Sequence, residues 1–175
     1  LRMTSDSVMD ERTLREIYLP AFEIAVKEGR VKCLMTSYNM LNGQYTNENE
    51  HLLQDILTNE WGYDGLIVTD WGGDNDRVRG LIAGNSLEMP GTGDRQILDA
   101  VQSGTVKREL LDERVARLLR LVSDAESTFG SAPDCDLAEH HEFAARFAEE
   151  CAVLLKNEDG ILPLKPGARV AVIGD

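Results

Sequence analysis

The chain has 175 residues, a length that allows one complete domain or parts of two. Hydrophobic residues make up 42% of it, which is close to the globular average and excludes a wholly disordered chain. Its net charge is −13, from 18 basic and 31 acidic residues, and this balance argues against nucleic acid as a partner because phosphate binding relies on Lys and Arg clusters. No apolar run approaches the length of a membrane-spanning helix, so we expect no membrane partner either.

The first part of the chain alternates helical and strand-like patterns. Asp10 predicts a helix N-cap, and Pro20 predicts the start of a second helix. Apolar residues then alternate between two faces over 31–37, as they do in a strand. Helical spacing returns between Asn47, a predicted N-cap, and Gly62, a predicted stop.

The stretch 65–71 is the most informative part of the sequence. It is a short apolar run between turn residues, which is typical of a strand buried on both faces within a parallel sheet. Asp70 ends this run, at the position where barrel enzymes place catalytic groups. A cap or turn role for Asp70 stays open, because Asp is common at both sites. Trp71 favours the catalytic interpretation, since an aromatic ring beside a carboxylate suits a sugar ring.

The region after Trp71 continues the same alternation. Helical patterns begin near Val78, Ile97 and Leu110, and the last of these predicts a strongly amphipathic helix with one apolar face. A short strand is predicted at 86–89. Strand, loop and helix thus follow one another through three strands, whose loops should gather on one rim. This predicts an α/β fold, the C-terminal part of a TIM-like (β/α) barrel. A doubly wound sheet fits almost equally well and stays the alternative.

The periodicity breaks over 125–136, where Ser, Thr, Gly and Pro accumulate, and we interpret this segment as a linker. Residues 1–124 are then the barrel part. Residues 137–175, with a helix, an apolar strand at 152–155 and a terminal strand, are the start of a second domain, an α/β sandwich. Because the chain opens on Leu1 and closes as a strand finishes, we expect a fragment of a longer protein.

Other chemical groups give weaker signals than Asp70. Asp74 and Asp76 are interpreted as solvated loop or cap residues, and Glu88 as a site residue whose role is hydrogen bonding or catalysis. The three histidines lie in predicted helices and form neither a nucleophilic triad nor a metal pair. They are His51, His140 and His141. We therefore expect no metal site.

The cysteines and the chain end point to ordinary packing. The cysteines are odd in number and far apart, so we expect small buried side chains instead of disulfides. They are Cys33, Cys135 and Cys151. The lack of a disulfide-like spacing favours a cytoplasmic protein. The ending 170–175 contains one glycine of a dinucleotide fingerprint and favours a generic strand. A nucleotide-binding domain would need a glycine-rich continuation.

The motifs, taken in order, resemble glycoside hydrolase family 3 on its β-glucosidase side. The resemblance covers essentially the whole chain, and several motifs in family order are far more specific than any one of them. They are the stretches 5–26, 35–39, 68–72, 87–91, 153–158 and 161–164.

The resemblance implies an O-glycosyl hydrolase that removes terminal non-reducing β-D-glucosyl residues by a retaining double displacement, without a cofactor. Asp70 matches the family's nucleophile, and Trp71 matches the aromatic that packs against the sugar. Tyr38 matches a hydroxyl near the nucleophile. Arg2 matches a ligand of sugar hydroxyls, and Met35 matches an apolar wall contact.

The resemblance also implies parts that this chain lacks. A Lys-His sugar-binding pair is expected before Leu1 and the general acid Glu after Asp175, so Glu88 becomes a possible site-lining residue and we expect the chain alone to be inactive. The expected partner is a small-molecule β-glucoside or oligosaccharide. A β-xylosidase or N-acetylglucosaminidase of the same family stays an alternative, as does a non-catalytic carbohydrate-binding relative.

Overall fold

The computed structural model describes residues 2–93, 95–131 and 134–174. The chain divides into two units, the first ending at Gly130 and the second beginning at Ser131. This division falls inside the segment 125–136 interpreted as a linker. The first residues of that segment are nevertheless helical, because the last helix of the first unit continues to Thr128.

The strands of the first unit form two small sheets. The described strands are β1 (Asp6–Ser7), β2 (Cys33–Met35), β3 (Met40–Leu41), β4 (Gln44–Tyr45) and β5 (Leu66–Val68). In one sheet, β3 pairs in parallel with β1 and antiparallel with β4. In the other, β2 and β5 run parallel, with Leu34 opposite Ile67. The predicted strand at 86–89 is reduced to one parallel bridge between Leu87 and Val68.

Helices connect and cover these strands. Those of the first unit are α1 (Glu11–Thr13), α2 (Pro20–Lys27), α3 (Arg77–Ala83), α4 (Gln96–Gln102) and α5 (Arg108–Thr128), with π-helical segments Leu14–Tyr18 and His51–Glu60 and a 3₁₀ turn Thr46–Glu48. Asp10 caps α1 through the Thr13 N–H, as predicted, and Pro20 is the first residue of α2. The predicted cap Asn47 is wrong: Asn49 accepts the Leu52 N–H instead.

The main hydrophobic core lies between the β2–β5 sheet and the helices around it. Ile56 and Ile67 are its most deeply buried members, at 0% and 1% exposed. Both Leu66 and Ile67 are buried although their side chains point to opposite faces of β5. The interpretation of 65–71 as a strand covered on both faces is therefore correct at its centre. A second cluster around Val106 joins α3, α4 and α5.

The apolar face predicted for α5 is only partly buried. Val115, Leu119 and Val122 are exposed, whereas Arg114 and Arg117 are buried. The reason is hydrogen bonding. Arg114 donates to the Leu81 and Ile82 carbonyls at the end of α3, and Arg117 donates to the Gly65 carbonyl before β5. Glu113 pairs with both guanidinium groups, which makes their burial tolerable.

The three cysteines are exposed, so the prediction that they are buried is wrong. Cys33 shows the physical reason, since it alternates along β2 with the half-buried Leu34 and shares the exposed face with Met35. The face of β2 that carries Cys33 and Met35 is thus not the core-facing one in this structure.

The second unit contains helix α6 (Leu137–Glu150), whose N-terminus is capped by Asp136. Neither the predicted strand at 152–155 nor a terminal strand forms in the described residues 134–174. A strand needs a neighbour to complete its backbone hydrogen bonds, and the described part of this unit supplies none to these apolar segments. Separately, none of the described helices has the length and apolar character needed to cross a bilayer.

Candidate active site

The loops that follow β2 and β5 lie side by side, because parallel neighbouring strands end at the same edge of a sheet. Asp70 and Trp71 begin the loop after β5, and Tyr38 lies in the loop after β2. The Tyr38 hydroxyl donates to the Trp71 carbonyl oxygen at 2.8 Å. This bond joins the two loops at the position of the predicted nucleophile.

A tight turn fixes Asp70 and Trp71. The Gly73 N–H donates to the Asp70 carbonyl at 2.9 Å, and Gly72 has a φ of +75°, which a glycine adopts without strain. The Gly72 N–H also donates to the Met89 carbonyl at 2.7 Å. The Asp70 carboxylate accepts the Trp71 N–H at 2.6 Å. The turn is therefore tied down on both sides.

The structure brings four of the five predicted site residues together. The Arg2 guanidinium lies 4.9 Å from the centre of the Tyr38 ring, a cation–π distance. Tyr38 in turn contacts the Asp70–Trp71 turn, and the Trp71 side chain is 65% exposed. The fifth, Met35, lies at the end of β2 opposite Val68 with an exposed side chain. These groups offer a carboxylate, an aromatic face and cationic and hydroxyl donors.

The electrostatics of Tyr38 favour its role as a donor. Desolvation raises the pKa of its hydroxyl, and the nearby Asp70 carboxylate raises it further, against a lowering by Arg2. The phenol therefore stays protonated at neutral pH. A protonated phenol beside a carboxylate donates a hydrogen bond and adds no competing charge.

A second group of charged residues lies behind the turn. Glu88 pairs with Arg77 at 2.7 Å, and its side chain is 11% exposed. Glu88 is therefore engaged in an ion pair with Arg77, and its role as a site-lining residue stays a prediction. Asp76 caps α3 by accepting the Val78 and Arg79 N–H groups, as the sequence predicted for a cap residue.

Asp74 is not the solvated loop residue that the sequence predicted. Burial raises the pKa of its carboxyl to about 6, and Glu88, Glu48 and Asp76 contribute, against a lowering by Arg77. Within residues 2–93, 95–131 and 134–174, no group of three or more His, Cys, Asp and Glu side chains could hold a metal ion.

Replacing Asp74 by Asn is expected to raise stability at pH 7 and to leave it nearly unchanged at pH 3. The pKa of the carboxyl is about 6 in the folded state and 3.8 in the unfolded chain, so its stabilising contribution is present below the unfolded pKa, is lost as pH rises through the folded pKa and stays lost above it. Asn has the same shape and does not ionise. Thermal unfolding should show a gain of about 1–2 kcal/mol at pH 7, after allowance for solvent screening. An equal gain at both pH values would contradict this.

Comparison with known proteins decides the family. Residues 3–121 match the family model described as "Glycosyl hydrolase family 3 N terminal domain". The chain belongs to this family. A thermostable beta-glucosidase B from Acetivibrio thermocellus is 48% identical over 99% of the chain, and an exo-alpha-(1->6)-L-arabinopyranosidase from Bifidobacterium longum is 40% identical over 99%. The family resemblance predicted from the motifs is thus confirmed.

Solved structures of family 3 members agree with this assignment. Beta-glucosidase 3B from Thermotoga neapolitana in complex with alpha-D-glucose has a TM-score of 0.81 and 37% identity over 94% of this chain, which covers 24% of that protein. The matched part of this chain has a mixed α/β fold. The chain spans about a quarter of the length of the curated relatives that it matches, for example 23% and 24% of the two named above.

Proposed function

We propose that the protein containing this chain is a retaining β-glucosidase that removes terminal non-reducing β-D-glucosyl residues. The observation that carries the proposal is the position of Asp70 just beyond the carboxyl end of a buried parallel strand, next to the exposed Trp71, whose carbonyl accepts the Tyr38 hydroxyl. Such an arrangement suits attack on a sugar that lies against the indole.

In the proposed mechanism Asp70 is the nucleophile. Its carboxylate oxygen attacks the anomeric carbon, the bond to the aglycone oxygen breaks, and a general acid protonates that oxygen. The resulting glucosyl ester is then hydrolysed. The group that acted as general acid now deprotonates a water molecule, which attacks the anomeric carbon and releases Asp70. We propose that this acid and the Lys-His pair come from parts of the protein outside the present sequence.

The remaining site residues would bind and orient the sugar. Trp71 presents an apolar face to the ring, and Met35 would add an apolar wall. Arg2 would donate hydrogen bonds to sugar hydroxyls, and the Tyr38 hydroxyl oxygen, whose proton is donated to the Trp71 carbonyl, would accept one from a sugar hydroxyl. Since Tyr38 also holds the Trp71 carbonyl, one residue would couple sugar binding to the position of the nucleophile turn.

The comparisons support glucose as the sugar and leave one specific competitor. The most identical relative named above is called a beta-glucosidase, and one solved relative was crystallised with alpha-D-glucose. The Bifidobacterium longum relative, at 40% identity, is called an arabinopyranosidase and favours a pentopyranoside as the second candidate. The predicted β-xylosidase would also act on a pentopyranoside.

We further propose that residues 1–124 form the C-terminal part of a TIM-like (β/α) barrel, that 125–136 link it to a second domain, and that 137–175 begin an α/β sandwich. The parallel β2–β5 pair with its helical connections supports the barrel proposal. The family match over 3–121 also supports it, since it names an N-terminal domain.

The stereochemistry of the product tests this function. The complete protein that contains this chain should be mixed with 4-nitrophenyl β-D-glucoside and followed by proton NMR in the first minutes. We expect the β-anomer of glucose to form first, because two inversions restore the configuration. Formation of the α-anomer first would contradict the double displacement. If the protein releases no glucose but hydrolyses an α-L-arabinopyranoside, a pentopyranoside replaces the β-glucoside as the proposed substrate.

Gly73→Ala is expected to lower kcat about tenfold and to destabilise the protein by about 1–2 kcal/mol. A Cβ at this buried position would lie 3.2 Å from both the Asp70 carbonyl oxygen and the Tyr38 ring, so the nucleophile turn and the tyrosine must separate. Gly91→Ala is the matched control, since its Cβ would meet no atom within 4 Å. Steady-state kinetics and thermal unfolding measure both effects. Equal kinetics for the two variants would refute the close packing.

A further inference from the structure

We propose that the Thr46–Glu48 turn is a clamp that fixes the Tyr38 loop and the Asp70 loop relative to each other, with Thr46 and Asn47 as positioning residues for the reaction. The proposal rests on the proposed function, because it assigns catalytic value to the spacing of these loops. Three consecutive residues bind three different points: the loop after β2, the loop after β5 and the start of α3. None of them was identified as a site residue from the sequence.

Thr46 holds the loop after β2. Its hydroxyl donates to the Ser37 carbonyl at 2.8 Å and accepts the Ser37 N–H at 3.0 Å. The Thr46 N–H also reaches the Asn39 carbonyl at 3.4 Å. The two residues that flank Tyr38 are therefore both tied to Thr46, which is itself 7% exposed.

Asn47 holds the loop after β5. Its side-chain N–H donates to the Asp74 carboxylate at 3.0 Å, and Asn47 is completely buried. Asp74 directly follows Gly73, whose N–H closes the turn on Asp70. A shift of Asp74 would therefore be transmitted through one glycine to the nucleophile.

Glu48 binds the same segment two residues further along the chain, at Asp76. Its carboxylate accepts the Asp76 N–H at 3.0 Å, at the start of α3, and its side chain is 8% exposed. Burial raises the pKa of Glu48, while the Asp76 N–H and Arg79 lower it. The segment from Asp70 to the N-terminus of α3 thus has two anchors on one short turn.

The consequence is that the clamp adds a second connection between the two catalytic loops, besides the Tyr38–Trp71 bond at the site itself. The Tyr38–Trp71 bond joins the loops at the site, and Thr46 and Asn47 join them again from behind. Displacing a catalytic group by about 1 Å costs on the order of 100-fold in rate. A rigid support behind a nucleophile is therefore a direct contribution to kcat and only a weak one to substrate binding.

Thr46→Val in the complete protein tests the clamp, since it keeps the shape of the side chain and removes the hydroxyl. We expect kcat on a β-glucoside to fall by about 10- to 100-fold with a change in KM below about threefold. Thr46→Ser keeps the hydroxyl and should retain kcat. Thr58→Val is the matched control, because the Thr58 hydroxyl donates at 2.7 Å to the Leu53 carbonyl within one helix and touches neither loop.

Hydrogen–deuterium exchange supplies a readout that does not depend on activity. In Thr46→Val, the amides of both 37–39 and 69–76 should exchange faster, although Thr46 bonds only to the first segment. Asn47→Ala is the second variant and should produce the same pair of changes from the other side. It also decides the question if Thr46→Val does not fold.

The outcomes separate the clamp from the proposed function. Unchanged kcat in Thr46→Val and in Asn47→Ala, with an active wild type, overturns the positioning role alone. Faster exchange confined to the loop nearest each substitution also overturns it. A wild type that hydrolyses no glycoside overturns the proposed function and with it the catalytic role of the turn, even if exchange shows that the loops are mechanically linked.

Discussion

Asp70→Asn is expected to reduce kcat on a β-glucoside by about four orders of magnitude or more, the largest effect that we predict. The amide is a poor nucleophile and cannot form the glucosyl ester. The fold should persist, because the Asn side-chain oxygen can still accept the Trp71 N–H that Asp70 accepts at 2.6 Å. Steady-state kinetics of the complete protein, with unfolding temperature as a check on folding, measure the change.

Asp64→Asn is the matched control for this variant. Asp64 precedes the same strand at its opposite end, its side chain is exposed, and only its backbone carbonyl binds Arg120. Its kcat should stay within about twofold of wild type. If Asp70→Asn retained more than about one per cent of wild-type kcat, Asp70 would not be the nucleophile, because loss of a covalent step costs far more.

Trp71→Ala is expected to lower kcat/KM by about 30- to 70-fold, the second-largest effect among the residues that would face the substrate. An indole that is 65% exposed contributes little to folding, so its face is available to cover the apolar side of a sugar. Removing about 80–100 Å² of such contact costs roughly 2–2.5 kcal/mol at 25 cal/mol per Å². The loss should lie in the first, bond-forming step, and the unfolding temperature should change little.

Trp71→Phe distinguishes the ring from the backbone at this position. It keeps an aromatic face and leaves the carbonyl that accepts the Tyr38 hydroxyl at 2.8 Å. We expect most of the lost activity to return relative to Trp71→Ala. Equal losses for Phe and Ala would contradict a contact with the sugar face and would point to disruption of the turn.

The parts of the fold that could be predicted are those with a local cause. The apolar run before Asp70 indicates a buried strand because it is bounded by turn residues and is too short for a typical buried helix. Asp10 and Pro20 mark helix starts through their own side chains, and the structure confirms both. Asp70 could be predicted for the same reason, because the strand and the carboxylate that follows it are contained in seven consecutive residues.

The parts that could not be predicted depend on distant neighbours. Helical periodicity cannot show that Arg114 is buried, because its partners are backbone carbonyls of α3 more than thirty residues away. The same holds for Thr46, a residue that reads as an ordinary turn threonine until Ser37 is placed beside it. The predicted strand at 152–155 fails for the converse reason, since a strand-like sequence forms no strand without a paired neighbour.

The candidate site shows the same difference between residues with a local sequence signal and residues that depend on distant neighbours. Asp70, Trp71 and Tyr38 are readable from motifs, and the structure places them in contact. Asp74 is readable only as a polar loop residue, yet its burial, together with the negative charges of Glu88, Glu48 and Asp76, raises the pKa of its carboxyl to about 6. Sequence reasoning thus identifies the groups that would face the substrate more readily than those that support them.

Trapping of the glucosyl-enzyme tests the central claim most directly. The complete protein is treated with a 2-deoxy-2-fluoro-β-D-glucosyl donor that has a good leaving group. It is then digested, and the labelled peptide is sequenced by mass spectrometry. The account predicts one 2-deoxy-2-fluoroglucosyl ester, on Asp70, which would establish the nucleophile, the covalent intermediate and the acceptance of a glucosyl group together. A label on any other carboxylate of the folded protein would contradict it.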